Sequence, residues 1–500
     1  MAENLPPTDV RLRDLADPTD LDALRDAIRA QDPAGVLVPL ELRDLVVSEH
    51  AADEVASTLR KLLGEKLTGA TVVLLVDDTP IRRGQVLLKD HVQDLVRAAV
   101  DDGRGGGRCE RVVLRGDHPL HADDAALDEA TEAVRGSDAV VTVGGGTITD
   151  IGKVATARTG GQPLVVVQTA ASVDGFTDNV SVVLASGVKK TIPSRWPDVV
   201  LADLETIAGA PPQMAAAGYG ELLSMFTAPA DWYLAKLLGI DPTFHEVPVE
   251  LLAVVGRGLD AWSPGVVRAE PDAIAALTRA LDVRGIATGV SGGTAVLSGV
   301  EHLVSHMLDM HHGARHEPIG LHGAQVGVAS VVAATAWDVL FEHLATGGGR
   351  DLDVEALRPD PASAEERCRA AFGHLDEDGA LAAECARRYG QKLQALAQAA
   401  PAVAGLLREP QEHVEVLRGL LTPAADLLAG LHAAGVTASF AELEPSVPEE
   451  LARWAVGNCH LMRERLTVVD LLDLLGLWTP AVVDRVLGAL DAPRAAAATP

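Results

Sequence analysis

The chain predicts an α/β domain built on a parallel sheet, followed by a domain made almost entirely of helices. Three observations predict it. Short uninterrupted Val/Leu runs alternate with helix-period segments as far as about residue 207; the strand signal then stops at the proline pair Pro211-Pro212; and beyond it alanine, leucine and charged residues recur at 3.6-residue spacing. With 500 residues, 48% of them hydrophobic, the chain has apolar side chains for two packed cores.

Residues 1–40 read as an N-terminal extension holding one amphipathic helix, Leu21 to Ala30, opened by the cap-like cluster Asp17-Pro18-Thr19-Asp20. The α/β domain is expected over 41–207, with strands in VVLLV (72–76), RVVL (111–114), AVVTV (139–143), PLVVV (163–167) and VVLADL (199–204). Runs that are apolar throughout, separated by helices, suit strands covered on both faces. The helical domain is expected over 208–491, broken at 345–365 by a loop-bearing insertion, and 492–500 reads as a frayed tail.

A net charge of -29 repels a phosphate backbone or an anionic bilayer over most of the surface, which argues against nucleic-acid and membrane partners. A small phosphorylated molecule is still admissible, because a metal ion and a few lysines set the local potential of a cleft. Cys109, Cys368, Cys385 and Cys459 lack knuckle or redox-pair spacing, as expected of reduced thiols. The N-terminus has no apolar signal core and no unbroken apolar run reaches the roughly 18 to 20 residues of a bilayer span, so a cytoplasmic setting is expected.

In AVVTVGGGTITDIGK, Gly144, Gly145 and Gly146 stand between a buried strand and a helix-forming segment. Glycines there let backbone approach a pyrophosphate, and the free N–H groups of the helix start favour its negative charge. The triplet is not a GxGxxG fingerprint, and a plain strand-to-helix turn would look the same. Asp77 and Asp78 end the VVLLV strand, where a carboxylate accepts hydrogen bonds from a ribose and repels a 2′-phosphate, so NAD is favoured over NADP unless both are solvated turn residues.

Six of the 16 histidines, at 302, 306, 311, 312, 316 and 322, fall in one short segment where uniform scattering would place about one. His302 and His306, four apart, share a helix face, and His322 stands between glycines in GLHGAQ. Two imidazoles with one carboxylate and open positions is a catalytic metal pattern, and Glu221, an acid in the apolar stretch AAGYGELLSMF, is the best carboxylate candidate.

The ordered motifs GGGTITD, QTAASVDGF, GVKKTIPSRWPDVVLADL, AAGYGELLSMFTAPADWYLA, SGVEHLVSH, LHGAQVGV and MRERLTVVDLLDLLG resemble the sn-glycerol-1-phosphate dehydrogenases, relatives of iron-containing alcohol dehydrogenases and 3-dehydroquinate synthases, over roughly residues 40 to 480. The resemblance implies a dehydroquinate-synthase-like architecture: an N-terminal dinucleotide domain, an all-α C-terminal domain and an active site in the cleft between them. It assigns the glycine loop with Thr147, Asp150, Thr169 and Ser172 to NAD or NADP, and Glu221, His302 and His322 to one divalent metal (zinc, iron or nickel). It places Asp174 and His306 on the substrate side, gives Lys189 and Lys190 an anionic group to hold, and implies a homo-oligomer.

Carried through, the resemblance implies hydride transfer to dihydroxyacetone phosphate or a related ketose phosphate or polyol ketone, with His306 and Asp174 relaying the proton. This chain departs from those dehydrogenases at Glu221, where they carry aspartate, at Met225, where many relatives have lysine, at Asp178, where many have a small hydroxyl residue, and at Ala324. Glutamate at the metal position also suits a sugar-phosphate cyclase, a lyase, although QTAASVDGF and Met225 do not. A non-catalytic relative is the remaining alternative, and the three surviving ligands weigh against it.

Overall fold

The first unit's sheet is six-stranded and all its pairings are parallel. The computed structural model describes residues 12–491 except 16, 102, 104, 117–119 and 186–187, so the predicted tail lies outside the described residues. The sheet strands in chain order are β1 (Asp44–Ser48), β2 (Thr71–Asp77), β3 (Arg108–Leu114), β4 (Ala139–Gly144), β5 (Leu164–Gln168) and, after a hairpin of β6 (Val180–Ala185) and β7 (Val188–Pro193), β8 (Val199–Asp203). Their order across the sheet is β1-β8-β5-β4-β2-β3.

The apolar runs become the central strands because both faces there are covered. Every residue from Val72 to Val76 is buried, as are all of β4, β5 and β8. Sequence reading misses β1 and the hairpin. The five residues of β1 are only partly buried at the sheet edge, and the hairpin carries Lys189 and Lys190 among alternating residues, so neither makes a continuous apolar run. In the extension, helix α1 (Leu21–Gln31) begins where the cap cluster predicts, with the Asp20 carboxylate accepting the N–H groups of Asp22 and Ala23 at 3.2 and 3.1 Å.

Strand order defines a switch point in the sheet. From β2 the chain moves through helix α2 (Leu88–Val100) to its neighbour β3, then crosses back to β4 on the other side of β2, and from β4 it runs through α3 (Gly146–Arg158) to β5. Connections therefore leave β2 and β4 in opposite directions. The crevice outside the carboxyl ends of such a strand pair is where open α/β sheets bind ligands.

The chain separates into two compact units, Met1–Gly218 with His245–Gly293, and Tyr219–Phe244 with Thr294–Pro500. Residues 245–293, which include the long helix α5 (Pro271–Ser291), thus lie with the sheet. Periodicity marks them as helical and has no means of choosing their partner. The described elements of the second unit are all helical, among them α6 (Val300–Ala314), α7 (His322–Ala345) and α8 (Ala380–Arg408). Helix α7 is long and apolar enough to cross a bilayer by composition, yet 89% of its apolar stretch is buried inside the fold, where Trp337 and Leu340 are fully enclosed. Between α7 and Ser363–Phe372 the chain makes turns and the short 3-10 helix Val354–Leu357, in the region of the expected insertion.

Candidate active site

In the first unit, the three glycines do different work. A Cβ on Gly144 would stand 2.5 Å from the Ile148 side chain, and one on Gly146 would stand 2.8 Å from Val173 Cγ2, so both glycines are required by close packing. A Cβ on Gly145 would meet nothing within 4 Å. Gly145 caps α3 in extended backbone, which leaves the N-terminal N–H groups of a 13-residue helix beside open space at the switch point of the sheet. This is a cradle that a pyrophosphate fits. The N–H of Thr169 donates to Gly144 O at 3.3 Å, joining the TAAS segment to the glycine loop; Thr169 is buried, Ser172 half-buried and Thr147 exposed.

The two acids at the end of β2 differ. Asp77 takes Lys89 Nζ as a close ion-pair partner and accepts the Thr79 N–H at 3.1 Å, which holds the turn after the strand, while Asp78 is exposed. Asp150, on α3, pairs with Lys153 at 2.9 Å and accepts the Val182 N–H at 3.0 Å. Lys153 is fully buried and also reaches Asp178 at 2.6 Å and Gly175 O at 2.8 Å, so it fastens the segment after TAAS to α3. An acid at 178 in place of a small hydroxyl residue thereby answers a buried cation. Burial pushes the Asp178 carboxyl up to about 7 against the opposing pull of Lys153.

Asp174 follows TAAS and pairs at 3.2 Å with Arg284 of α5, whose side chain is fully buried. Gly285 permits that approach, since a Cβ there would lie 2.2 Å from Thr177 Oγ1 and 2.3 Å from Asp174 O. Arg284 is a residue that sequence reasoning missed, because nothing local links it to a loop more than a hundred positions earlier. Lys190 is half-buried on β7, opposite Val183, and the side chain of Lys189 lies outside the described residues.

The second unit brings Glu221, His302 and His322 together, with one ligand atom of each within 4.8 Å of the others. Glu221 lies in the last turn of helix α4 (Pro212–Leu222), and bare backbone puts it beside His322, the first residue of α7. A Cβ on Gly220 would lie 2.3 Å from Gly323 O, and one on Gly327 would lie 2.7 Å from Gly220 Cα, so only glycines allow the two helices this contact. His302 Nε2 stands 3.3 Å from Glu221 Oε1, and His322 Nε2 stands 3.9 Å from Glu221 Oε2.

Hydrogen bonds orient both imidazoles through their Nδ1 atoms. Fully buried Glu301 accepts from His302 Nδ1 at 3.0 Å, from the Gly299 N–H at 2.6 Å and from Thr227 Oγ1 at 3.0 Å. Ser305 Oγ donates to Gln325 Oε1 at 2.6 Å and so accepts from His322 Nδ1 at 2.8 Å. Both histidines therefore turn Nε2 toward Glu221, and a divalent ion of the zinc or iron type that displaces any proton held there finds a fitting donor set. Burial alone would lower the pKa of His302, but the hydrogen bonds and charges of Glu221 and Glu301 outweigh it and carry the ring up to about 9. Glu301, Ser305 and Gln325 were not picked out in the sequence; the adjacency of Glu301 to His302 was the available signal.

The other clustered histidines part company. The His306 ring lies 6.4 Å from that of His302 and 5.4 Å from that of His322. His311 packs 5.7 Å from Trp454, His312 is buried, and His316 sits exposed in the turn after α6 at φ 56°. The histidine count thus reflects both a ligand-like site and an aromatic cluster next to it.

A family model for iron-containing alcohol dehydrogenases matches residues 47–211. The glycerol-1-phosphate dehydrogenase (NAD(P)+) of Bacillus velezensis is 30% identical over 312 residues, covering 61% of this chain and 74% of that one. The enzyme of the same name from Bacillus subtilis is 26% identical over 324 residues, covering 63% and 77%. Among solved structures, glycerol dehydrogenase from Schizosaccharomyces pombe superimposes with a TM-score of 0.53 at 14% identity, covering 90% of this chain and 92% of that one, which speaks for the fold alone. The chain belongs to the glycerol-1-phosphate dehydrogenase family within the iron-containing alcohol dehydrogenases. It is an NAD(P)-linked dehydrogenase, which sets aside the lyase and the non-catalytic alternative.

Proposed function

We propose that this enzyme reduces dihydroxyacetone phosphate to sn-glycerol 1-phosphate in the cytoplasm, with NADH as the preferred donor and a divalent metal held by Glu221, His302 and His322. The observation that carries the reading is the convergence of two imidazole Nε2 atoms on one buried carboxylate, each ring oriented through its Nδ1 by a dedicated partner. Bound reduced nicotinamide supplies the hydride, and a bound divalent ion supplies Lewis acidity toward the carbonyl oxygen.

The chain's own residues do the rest. Gly145 and the N-terminal N–H groups of α3 seat the pyrophosphate, with Thr147, Asp150, Thr169 and Ser172 assigned to the same cofactor. His306 delivers the proton that turns the developing alkoxide into the product alcohol, and Asp174 is assigned to the substrate. Lys190, and Lys189 beside it in sequence, answer the substrate phosphate. Preference for NADH rests on Asp77 and Asp78, the two carboxylates at the end of β2, where an acid accepts hydrogen bonds from a ribose and opposes a 2′-phosphate.

The test is a panel of ketose phosphates and polyol ketones assayed with NADH and NADPH at the nicotinamide absorbance, followed by stereochemical analysis of the product. Turnover of dihydroxyacetone phosphate to the sn-1 isomer, with higher kcat/KM for NADH, is expected. Formation of the sn-3 isomer, or activity confined to unphosphorylated polyols, overturns the substrate assignment, and a clear preference for NADPH overturns the role given to Asp77 and Asp78.

A further inference from the structure

Helix α6 presents a second set of donors on the face that carries His302. His306 and Asp309 follow it at spacings of four and three, which keeps all three side chains on one side of the helix. One ligand atom each from His306, Asp309 and His322 lie within 4.8 Å of one another, the same closeness found for Glu221, His302 and His322. Asp309 is 6% exposed, the His306 and His322 rings stack at 5.4 Å with 27° between their planes, and His322 belongs to both sets.

His322 has one lone pair to give. Its Nδ1 proton is spent on Ser305 Oγ, whose own proton goes to Gln325, so Nε2 is the ligand atom for either set. We propose that His306, Asp309 and His322 form a second station for a divalent transition ion, exclusive of the first because both stations draw on His322 Nε2. Two imidazoles and a carboxylate are as suitable a donor set there as at the first station. One ion thus has two positions. In the second it no longer uses Glu221 and His302, and it occupies the His306 side chain that the proposed reduction uses for proton delivery. An enzyme molecule with its ion in that position carries metal and does not turn over.

The inference rests on the metal reading above, and the experiment separates the two. Co2+ binding to the full-length protein is measured by equilibrium dialysis and by the visible absorption of the bound ion. The wild type is expected to bind one equivalent. His302→Ala and the near-isosteric Glu221→Gln should each still bind one equivalent with an altered spectrum, and with affinity lowered about 10-fold to 100-fold, at least what a lost outer partner costs. Adding Asp309→Asn to either should abolish that remaining binding, and His322→Ala alone should abolish both stations. No Co2+ binding by His302→Ala and Glu221→Gln, in variants whose circular dichroism stays native, overturns the second station and leaves the first intact. Binding that survives His302→Ala/Asp309→Asn, or survives His322→Ala, also overturns it. Two equivalents on the wild type would overturn the exclusivity, and none would overturn the metal reading beneath it.

Discussion

Two buried acids, one in each unit, keep opposite company. Asp282 on α5 is fully enclosed and faces the amide of Gln168; burial pushes its carboxyl up to about 8, with the Gln168 hydrogen bond and the charge of Arg279 only partly opposing it. Glu221, 3% exposed, faces the imidazoles of His302 and His322. The first escapes the cost of a buried charge by keeping its proton, while the second stands among groups that are cationic or can share a cation. An acid inside an apolar helical stretch therefore reports burial, and its neighbours in space decide whether it reports chemistry.

The sharpest test of that contrast is at the ligands of Glu221. His302→Ala and His322→Ala should each abolish NADH-dependent reduction while the far-ultraviolet circular dichroism stays native, because the pair serves a site rather than a core. Substantial turnover in either variant would reduce Glu221 to another buried acid of the Asp282 kind. His306→Ala should lower kcat by about 10²-fold to 10⁴-fold, the loss typical of a proton-transfer group, with metal content near normal because the first station is untouched. A variant that loses its metal along with its activity would instead make His306 a ligand of the working site.

The glycine loop offers a smaller contrast within the first unit. Gly145→Val should weaken NADH binding, measured by fluorescence titration, with little change in Tm, since its side chain points into open space. Gly146→Ala should do the reverse first, lowering stability by about 1–3 kcal/mol as its Cβ presses on Val173. Equal losses of binding and stability in both would mean that all three glycines are packing glycines and that no cofactor lies against Gly145.

How far these features were legible follows from their range. The central strands could be read because burial on both faces leaves nearly continuous apolar runs such as Val72–Val76 and Val140–Val143, and the partly buried β1 left no such trace. The metal candidates could be read because chemistry concentrated histidines in one segment, with Glu221 singled out by its apolar surroundings. Glu301, Ser305, Gln325, Arg284 and Lys153 could not, since each acts through a partner chosen by folding: Arg284 meets Asp174 and Lys153 meets Asp178 only after α5, α3 and the segment beyond TAAS have packed. Asp282 is the instructive counterexample. It sits in ALDVRG as inconspicuously as Glu221 sits in GYGELL, and only the histidines told the two apart.

The smallest expected effect concerns Asp282 itself and is read in stability rather than turnover. Its folded pKa, about 8, lies above the ordinary carboxylate value, so between roughly pH 4 and pH 8 the folded state holds a proton that the unfolded chain releases. Stability from this group is complete below the unfolded pKa, falls as the pH rises through that window, and stops falling above the folded pKa. Asp282→Asn keeps the shape of the protonated acid and removes the titration. The variant should therefore match the wild type in Tm at or below about pH 4, exceed it increasingly toward pH 8, and run parallel to it beyond. The measurement is a series of thermal melts at constant ionic strength for both proteins. If the Tm difference is flat across the window, the carboxylate at 282 is already ionised in the folded state, and the contrast with Glu221 would collapse into two charged acids that differ only in the cations they face.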